Sequence, residues 1–161
     1  MKMHELLAAK SSVIHQVPPE TLVHDCISLM NEQHIGAVMV VDSKGEMAGI
    51  LTERDLLRGY HCCDNQPGVC KLPVKELMTP ADRLVTITSQ CPIDRAMNQM
   101  TANKVRHLPI LDPDNGSLIG VVSIGDLIKA LLGCAEKENQ TMKQYMFGQD
   151  QIFPTDHIPM V

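Results

Sequence analysis

At 161 residues, with 44% hydrophobic and 20% charged residues, the chain has the size and balance of one soluble domain or of two small intertwined halves. A net charge of −5 and 2% aromatic content argue against a nucleic-acid partner, which needs clustered cations or stacking platforms. No apolar run of about 18 residues exists to cross a membrane, and Met1 to Leu7 is too short and polar for a secretory signal, so a cytoplasmic address is expected.

The first predicted helix starts at Thr21 as its cap. Its apolar positions Leu22, Val23, Cys26, Ile27, Leu29 and Met30 recur at helical spacing and stop before Gly36. Ala37 to Val41 is a continuous apolar run with β-branched residues, read as a buried strand. Asp42-Ser43-Lys44-Gly45 is turn chemistry, and Met47 to Leu51 is the returning strand. Thr52 opens the next helix, with Leu56 and Leu57 expected inward. A linker over 61–73 holds Cys62, Cys63 and Cys70, and Val74-Lys75-Glu76-Leu77-Met78-Thr79-Pro80 leads out of it.

The second half repeats this order. Cys91 stands where the first half has Thr21, and Pro92 suits a first helical turn. Ile93, Ala96, Met97 and Met100 line one helix face. Pro109, inside the strand Leu108 to Leu111, predicts an edge position or a bulge. Asp112-Pro113-Asp114-Asn115-Gly116 is the turn, and Gly120 to Val122 the return strand. Ser123 opens a helix through Leu127, Ile128, Leu131 and Leu132, with Gly133 as its expected stop. A C-terminal helix over 134–147 carries Met142, Tyr145 and Met146 on one side, and 148–161 is a tail mixing Pro, Asp and Gln.

The duplication is explicit. Asp42 and Asp112 are 70 positions apart, Asp55 and Asp126 are 71 apart, and the added residue falls between them. Each copy ends its return strand on a hydroxyl residue followed three later by aspartate: Thr52 and Asp55, then Ser123 and Asp126. Two readings of that pair stay open. One is a capping box, in which hydroxyl and carboxylate satisfy helix N–H groups reciprocally. The other is a sugar-diol site, since a carboxylate accepts from vicinal hydroxyls and a helix N-terminus favours phosphate. Gly49 and Gly120 precede the motif at matched positions and permit close backbone approach.

Gly-h-h-[Ser/Thr]-x-x-Asp after a two-strand hairpin, twice in tandem, resembles the cystathionine β-synthase (CBS) domain pair of stand-alone bacterial type. Val105 to Ile110, Val121 to Leu127, Thr52 to Leu56 and Glu76 to Thr79 carry the likeness, which covers residues 5–147. It implies an α+β fold of two tandem β-α-β-β-α repeats, over 5–60 and 74–133, forming one pseudo-two-fold module with two clefts. It also implies an adenosine-nucleotide sensor for AMP, ADP or ATP, with NAD and S-adenosylmethionine ranked behind them. By the same resemblance, one cleft takes Ser123 and Asp126 for the ribose, with Val121 beside them. Thr21, Cys26, Ile35, Gly36 and Ala37 would wall its base, and Arg106 and His107 would face its phosphates. The mirror cleft takes Ile50, Thr52 and Asp55, with Cys91, Ala96 and Val105-Arg106-His107 as the opposing wall and Arg54 as its cation. The Asp126 cleft is expected to be the tighter, because Arg106 and His107 are assigned to it and Cys91 lacks a hydroxyl.

The cysteines of the linker lack a Cys-x₂₋₄-Cys knuckle, so ordinary reduced thiols are expected there rather than a metal site. No nucleophile–base pair, paired acid–base carboxylates or phosphate loop is found, so no catalytic residue and no cofactor are expected. The module would act on an unknown partner protein and pair as a homodimer. The rival reading is a structural or redox-responsive interaction protein with empty clefts.

Overall fold

A computed structural model describes residues 1–9, 13–62 and 68–147. The first half contributes α1 (Met3–Ala9), β1 (Gln16–Val17), α2 (Val23–Gln33), β2 (Ala37–Val41), β3 (Met47–Thr52) and α3 (Glu53–Cys62). The second contributes β4 (Thr79–Pro80), β5 (Ile87–Thr88), α4 (Ile93–Asn103), β6 (His107–Leu111), β7 (Leu118–Ser123) and α5 (Ile124–Phe147). The fold is α+β, with the β-α-β-β-α order present twice. Compact packing divides the chain into two units, Met1–Ile124 and Gly125–Val161. In the second unit Leu127 is fully buried, while Ile128, Leu131 and Leu132 of α5 are exposed.

Each half builds its sheet on one hairpin. In β2–β3, Ala37 lies opposite Thr52 and Val41 opposite Met47, and β1 joins β2 in parallel. In β6–β7, His107 lies opposite Ser123 and Leu111 opposite Leu118, and β5 joins β6 in parallel. Asp42 Oδ1 accepts from the Lys44 and Glu46 N–H groups at 2.9 Å, and Asp112 Oδ1 accepts from Asp114 N–H at 2.8 Å. Gly45 and Gly116 take the positive φ, 82° and 71°, that these turns require.

The buried residues repeat with the sequence. Val23, Cys26, Met30, Val38 and Val40 of the first half match Ile93, Ala96, Met100, Leu108 and Ile110 of the second, all buried. Each such aliphatic side chain contributes about 1.5–3 kcal/mol of burial free energy. Two further residues complete the pattern by crossing over. Val74, at the entry to the second half, is fully buried in the first-half core, which also takes in Val69. Its N–H donates to Thr21 O at 2.8 Å, and Leu22 bridges to Pro73. Conversely, the N–H of fully buried Met3 donates to Cys91 O at 3.0 Å, and Lys2 bridges to Pro92. The stretch before each repeat thus closes the other repeat.

Several sequence expectations are corrected. Thr21 does not cap α2. The extended bridge at Leu22 makes Leu22 the N-cap, without a side-chain bond, and leaves Thr21 one residue too early. Leu57 is 72% exposed rather than inward. Gly133 does not stop a helix: α5 continues through it to Phe147, so no break separates it from the C-terminal segment. Of the two alternatives for the Pro109 strand, the edge is excluded, since it is central in the β5-β6-β7 sheet, while the strand does carry a register shift at Ile110/Leu111. The sheet accommodates the proline by omission. The matching Met39 pairs with Gln16, and its N–H donates to His15 O at 3.0 Å, whereas β5 pairs only with Ile110 and Leu111, beyond the proline. The register shift at Ile110/Leu111 recurs at Val40/Val41, where no proline stands, so Pro109 does not cause it.

No helix among the described residues is long and apolar enough to cross a membrane. Of the linker thiols, Cys70 is free and exposed, and Cys63 lies outside the described residues, as does the tail 148–161.

Candidate functional site

The end of β3 and the start of α3 place Thr52 and Asp55 as a reciprocal capping box. Asp55 Oδ2 accepts from Thr52 N–H at 2.9 Å and from Thr52 Oγ1 at 2.7 Å. Asp55 N–H in turn donates to Thr52 Oγ1 at 3.3 Å. The structural reading of the motif is therefore realised, yet it uses one carboxylate oxygen. Oδ1 has weaker company, with Thr79 Oγ1 donating at 3.3 Å and the Arg58 guanidinium 4.0 Å away. Asp55 is 6% exposed, and its neighbours Thr79 and Arg58 line the same cavity as it does. Oδ1 is the oxygen left to accept from a ligand hydroxyl.

That cavity encloses about 370 Å³. Ile50 and Thr52 of β3 line it beside Asp55, and Leu84 and Val85 add apolar wall. Arg54, Arg58, Arg83, Lys104 and Arg106 are in its lining, and Asp55 is the one acidic residue there. Asn103, Val105 and His107 complete the lining. Two contacts bring the halves together here. Arg54 Nη1 donates to Lys104 O at 2.6 Å, and Arg106 Nη2 stands 3.6 Å from Glu53 Oε2. The net result is a cationic, partly apolar pocket on an acidic chain, suited to an anion with an apolar body.

Of the residues expected at the Asp55 cleft, Ile50, Thr52, Arg54, Asp55 and Val105 meet in this cavity. Cys91 and Ala96 do not line it. Ala96 is fully buried in α4, and burial raises the Cys91 thiol pKa, with Arg95 lowering and Asp94 raising it. Arg106 and His107, expected at the phosphates of an Asp126 cleft and also in the wall opposite Asp55, line the Asp55 cavity. The segment lies by both motifs. Arg106 O accepts from Ile124 N–H at 2.9 Å, so the main chain belongs beside the second motif, while the side chain crosses to Glu53 of the first half.

Ile35 and Gly36 line a second hollow of about 330 Å³ with Ile27, Met30, Asn31, His34, Glu53 and Leu56. Thr21, Cys26, Ala37 and Val121 line neither hollow. Ser123 ends β7, and Asp126 lies in the first turn of α5. The two motif glycines serve packing. A Cβ on Gly49 would collide with Thr79 O and lie 2.9 Å from the Met78 sulfur, and one on Gly120 would lie 2.7 Å from Leu7. The close approach they permit is that of the crossing segments.

Sequence reasoning missed Arg58, Thr79, Arg83 and Lys104. The duplication itself contains a signal for the charge. At repeat-equivalent positions, Gly125 and Lys129 replace Arg54 and Arg58, and His34, Gly36 and Ala37 replace Lys104, Arg106 and His107. Of these five positions, the Asp55 side carries Arg54, Arg58, Lys104 and Arg106, and the other side Lys129.

A family model for the CBS domain matches residues 10–61 and 74–133. The mitochondrial CBS domain-containing protein CBSX3 of Arabidopsis thaliana is 37% identical over 129 residues, 78% of this chain. The match spans 60% of that relative's length. A structure of a protein with CBS domains from Burkholderia ambifaria MC40-6 is similar with a TM-score of 0.73 at 33% identity, covering 97% of this chain and 100% of that one. The structure of CBSX2 in complex with AMP is similar with a TM-score of 0.63 at 27% identity, covering 76% of this chain and 90% of that one.

Proposed function

The chain belongs to the CBS-domain family in both of its halves, and from that premise we propose that it is a regulatory module binding an adenosine nucleotide, AMP, ADP or ATP, in the Asp55 cavity. One observation carries the reading: Asp55 and five Arg or Lys residues line a single cavity, with Asp55 Oδ1 beside Thr79 and Arg58. The carboxylate supplies an acceptor for ribose hydroxyls, Ile50, Leu84 and Val85 supply apolar surface for the base, and the cations meet the phosphates. The similar CBSX2 structure with AMP supports the class of ligand.

Binding that bridges α3 of one half and the turn before β6 of the other favours one relative placement of those segments. A ligand acts on a conformational equilibrium only through such a difference in contacts. The module would pass that change to a partner protein. Self-association into a homodimer fits the exposed apolar residues Leu57 and Tyr60 on α3 and Ile128, Leu131 and Leu132 on α5. Light scattering on the purified chain tests that part, and a monomer at micromolar concentration would overturn it.

Isothermal calorimetry with AMP, ADP and ATP tests the ligand, with adenosine, NAD and S-adenosylmethionine as comparators. The three nucleotides are expected to bind, and Arg83→Gln to weaken them by about tenfold, the loss of one charge-assisted hydrogen bond. No heat and no thermal shift with any of these compounds at millimolar concentration would overturn the reading.

A further inference from the structure

Glu53 opens α3, and its N–H donates to Gly36 O at 3.1 Å. Its carboxylate lies 3.6 Å from Arg106, a cation that lines the Asp55 cavity. Glu53 itself is not in that lining and contributes instead to the neighbouring hollow at Gly36. A Cβ at Gly36 would sit 3.3 Å from the Glu53 carboxylate, closer than ordinary contact, so glycine leaves the carboxylate its room. The repeat-equivalent positions of Glu53 and Arg106 are Ile124 and Gly36. The ion pair is therefore a feature of one side only and no consequence of the duplicated fold.

A carboxylate and a phosphate make the same kind of charge-assisted contact to a guanidinium. Glu53 thus occupies a group that a phosphate in the cavity would use. We propose that Glu53 is an internal competitor for Arg106, so that the cavity selects ligands by phosphate charge; this rests on the nucleotide reading of the cavity. A neutral nucleoside gains nothing from displacing Glu53. A monophosphate gains modestly, and a triphosphate, with more charge to offer Arg106, gains most. The side chains are half exposed, 50% for Arg106 and 58% for Glu53. The competition is therefore expected to be worth about two- to fivefold in affinity, the range of a solvent-exposed ion pair.

Calorimetry on the full chain with adenosine, AMP and ATP tests this in five proteins: wild type, Glu53→Gln, Glu53→Asp, Arg106→Gln and Arg106→Gln/Glu53→Gln. Glu53→Gln is expected to tighten AMP and ATP by about two- to fivefold and to narrow the ratio between them, with adenosine unchanged. Glu53→Asp keeps the charge at the helix start but shortens the reach, and is expected to tighten both nucleotides as well. In the Arg106→Gln background the Glu53→Gln effect is expected to vanish, which separates competition for Arg106 from general repulsion. Melting temperatures within a few degrees of wild type establish that the variants are folded. Nucleotide binding that is unchanged or weaker in Glu53→Gln, or a gain that persists without Arg106, would overturn the competitor role and leave the nucleotide site standing. A wild type that binds none of the compounds would overturn both.

Discussion

The Arg54 guanidinium donates a 2.6 Å hydrogen bond to the carbonyl oxygen of Lys104, joining the first turn of α3 to the C-cap of α4. Lys104 holds that carbonyl from the left-handed region, with φ 56°, a conformation that costs a non-glycine residue about 1–2 kcal/mol. The same geometry recurs at His34, φ 52°, which caps α2 without lining the Asp55 cavity. Glycine is expected to relieve strain at both positions. Lys104→Gly and His34→Gly should each raise stability by about 1 kcal/mol, or the melting temperature by about 2–4 °C. Only Lys104→Gly should weaken nucleotide binding, because it also removes a cavity cation. Denaturation and calorimetry on both variants check this, and equal binding in the two would remove Lys104 from the site.

Thr52 and Asp55 share a cap, and their substitution is expected to affect nucleotide binding differently. Thr52→Ala removes the hydroxyl that pairs with Asp55 Oδ2 and with Asp55 N–H, and is expected to cost about 1 kcal/mol of stability. Asp55 Oδ1 remains in place, so nucleotide affinity should change little. Asp55→Asn keeps the side-chain shape but loses the charge and one acceptor. It should cost a similar amount of stability and weaken nucleotides by about tenfold or more. If the two variants lose affinity in the same proportion, Asp55 is a cap and nothing else.

Gly49 and Gly120 occupy equivalent positions but face different obstacles. At Gly49 a methyl group would collide with backbone, the Thr79 carbonyl oxygen, which moves only if β4 moves. At Gly120 it would meet the far end of the Leu7 side chain, which can rotate. Gly49→Ala is expected to cost about 2–3 kcal/mol and Gly120→Ala about 1 kcal/mol or less, the range between overpacking against fixed and yielding neighbours. Leu7→Ala should cancel the effect of Gly120→Ala, whereas Met78→Ala should not rescue Gly49→Ala. Urea titrations of the four single variants and two pairs decide it, and equal costs at the two glycines would show that the β4 edge yields as easily as Leu7.

The same glycines show what the sequence made legible. Continuous apolar runs, turn chemistry and the repeat spacing were enough to place both hairpins and both Thr/Ser-x-x-Asp turns, because each depends on residues within a few positions of one another. The partners of the glycines come from outside their own repeat. Lys2-Met3-His4-Glu5-Leu6-Leu7 and Pro73-Val74-Lys75-Glu76-Leu77-Met78 are equivalent stretches, each closing the opposite half. An N-terminus of that length has no periodicity to read; only alignment with the second copy exposes it. Arg106 shows a related limit. Its position before β6 follows from local pattern, but the direction of a long side chain across the boundary between repeats does not. Pro109 marked a real disturbance in its sheet, and its position in the central strand followed from pairing with β5, which local sequence cannot specify.

Cys26 gives the fold an alkaline limit. The side chain is fully buried, and burial, aided by the neighbouring Asp25 charge, pushes its thiol from 9.0 up to about 11. In the unfolded chain the thiol ionises near its ordinary value, while the folded chain keeps its proton. Between those two values the unfolded state binds fewer protons, so stability falls as pH rises. The contribution is fully present below pH 9.0, and by pH 11 roughly 2 kcal/mol of it is lost. Ala96 occupies the equivalent buried position in the second half, so Cys26→Ala has a precedent in this fold and is expected to cost about 1–2 kcal/mol at neutral pH. The variant should then lose less stability than wild type from pH 9 to 11, with the curves converging or crossing. Urea midpoints measured across that range test it, since lysine and tyrosine titrations are common to both proteins. Parallel decline in the two would show that Cys26 ionises at its ordinary value and that the thiol is not held protonated by burial.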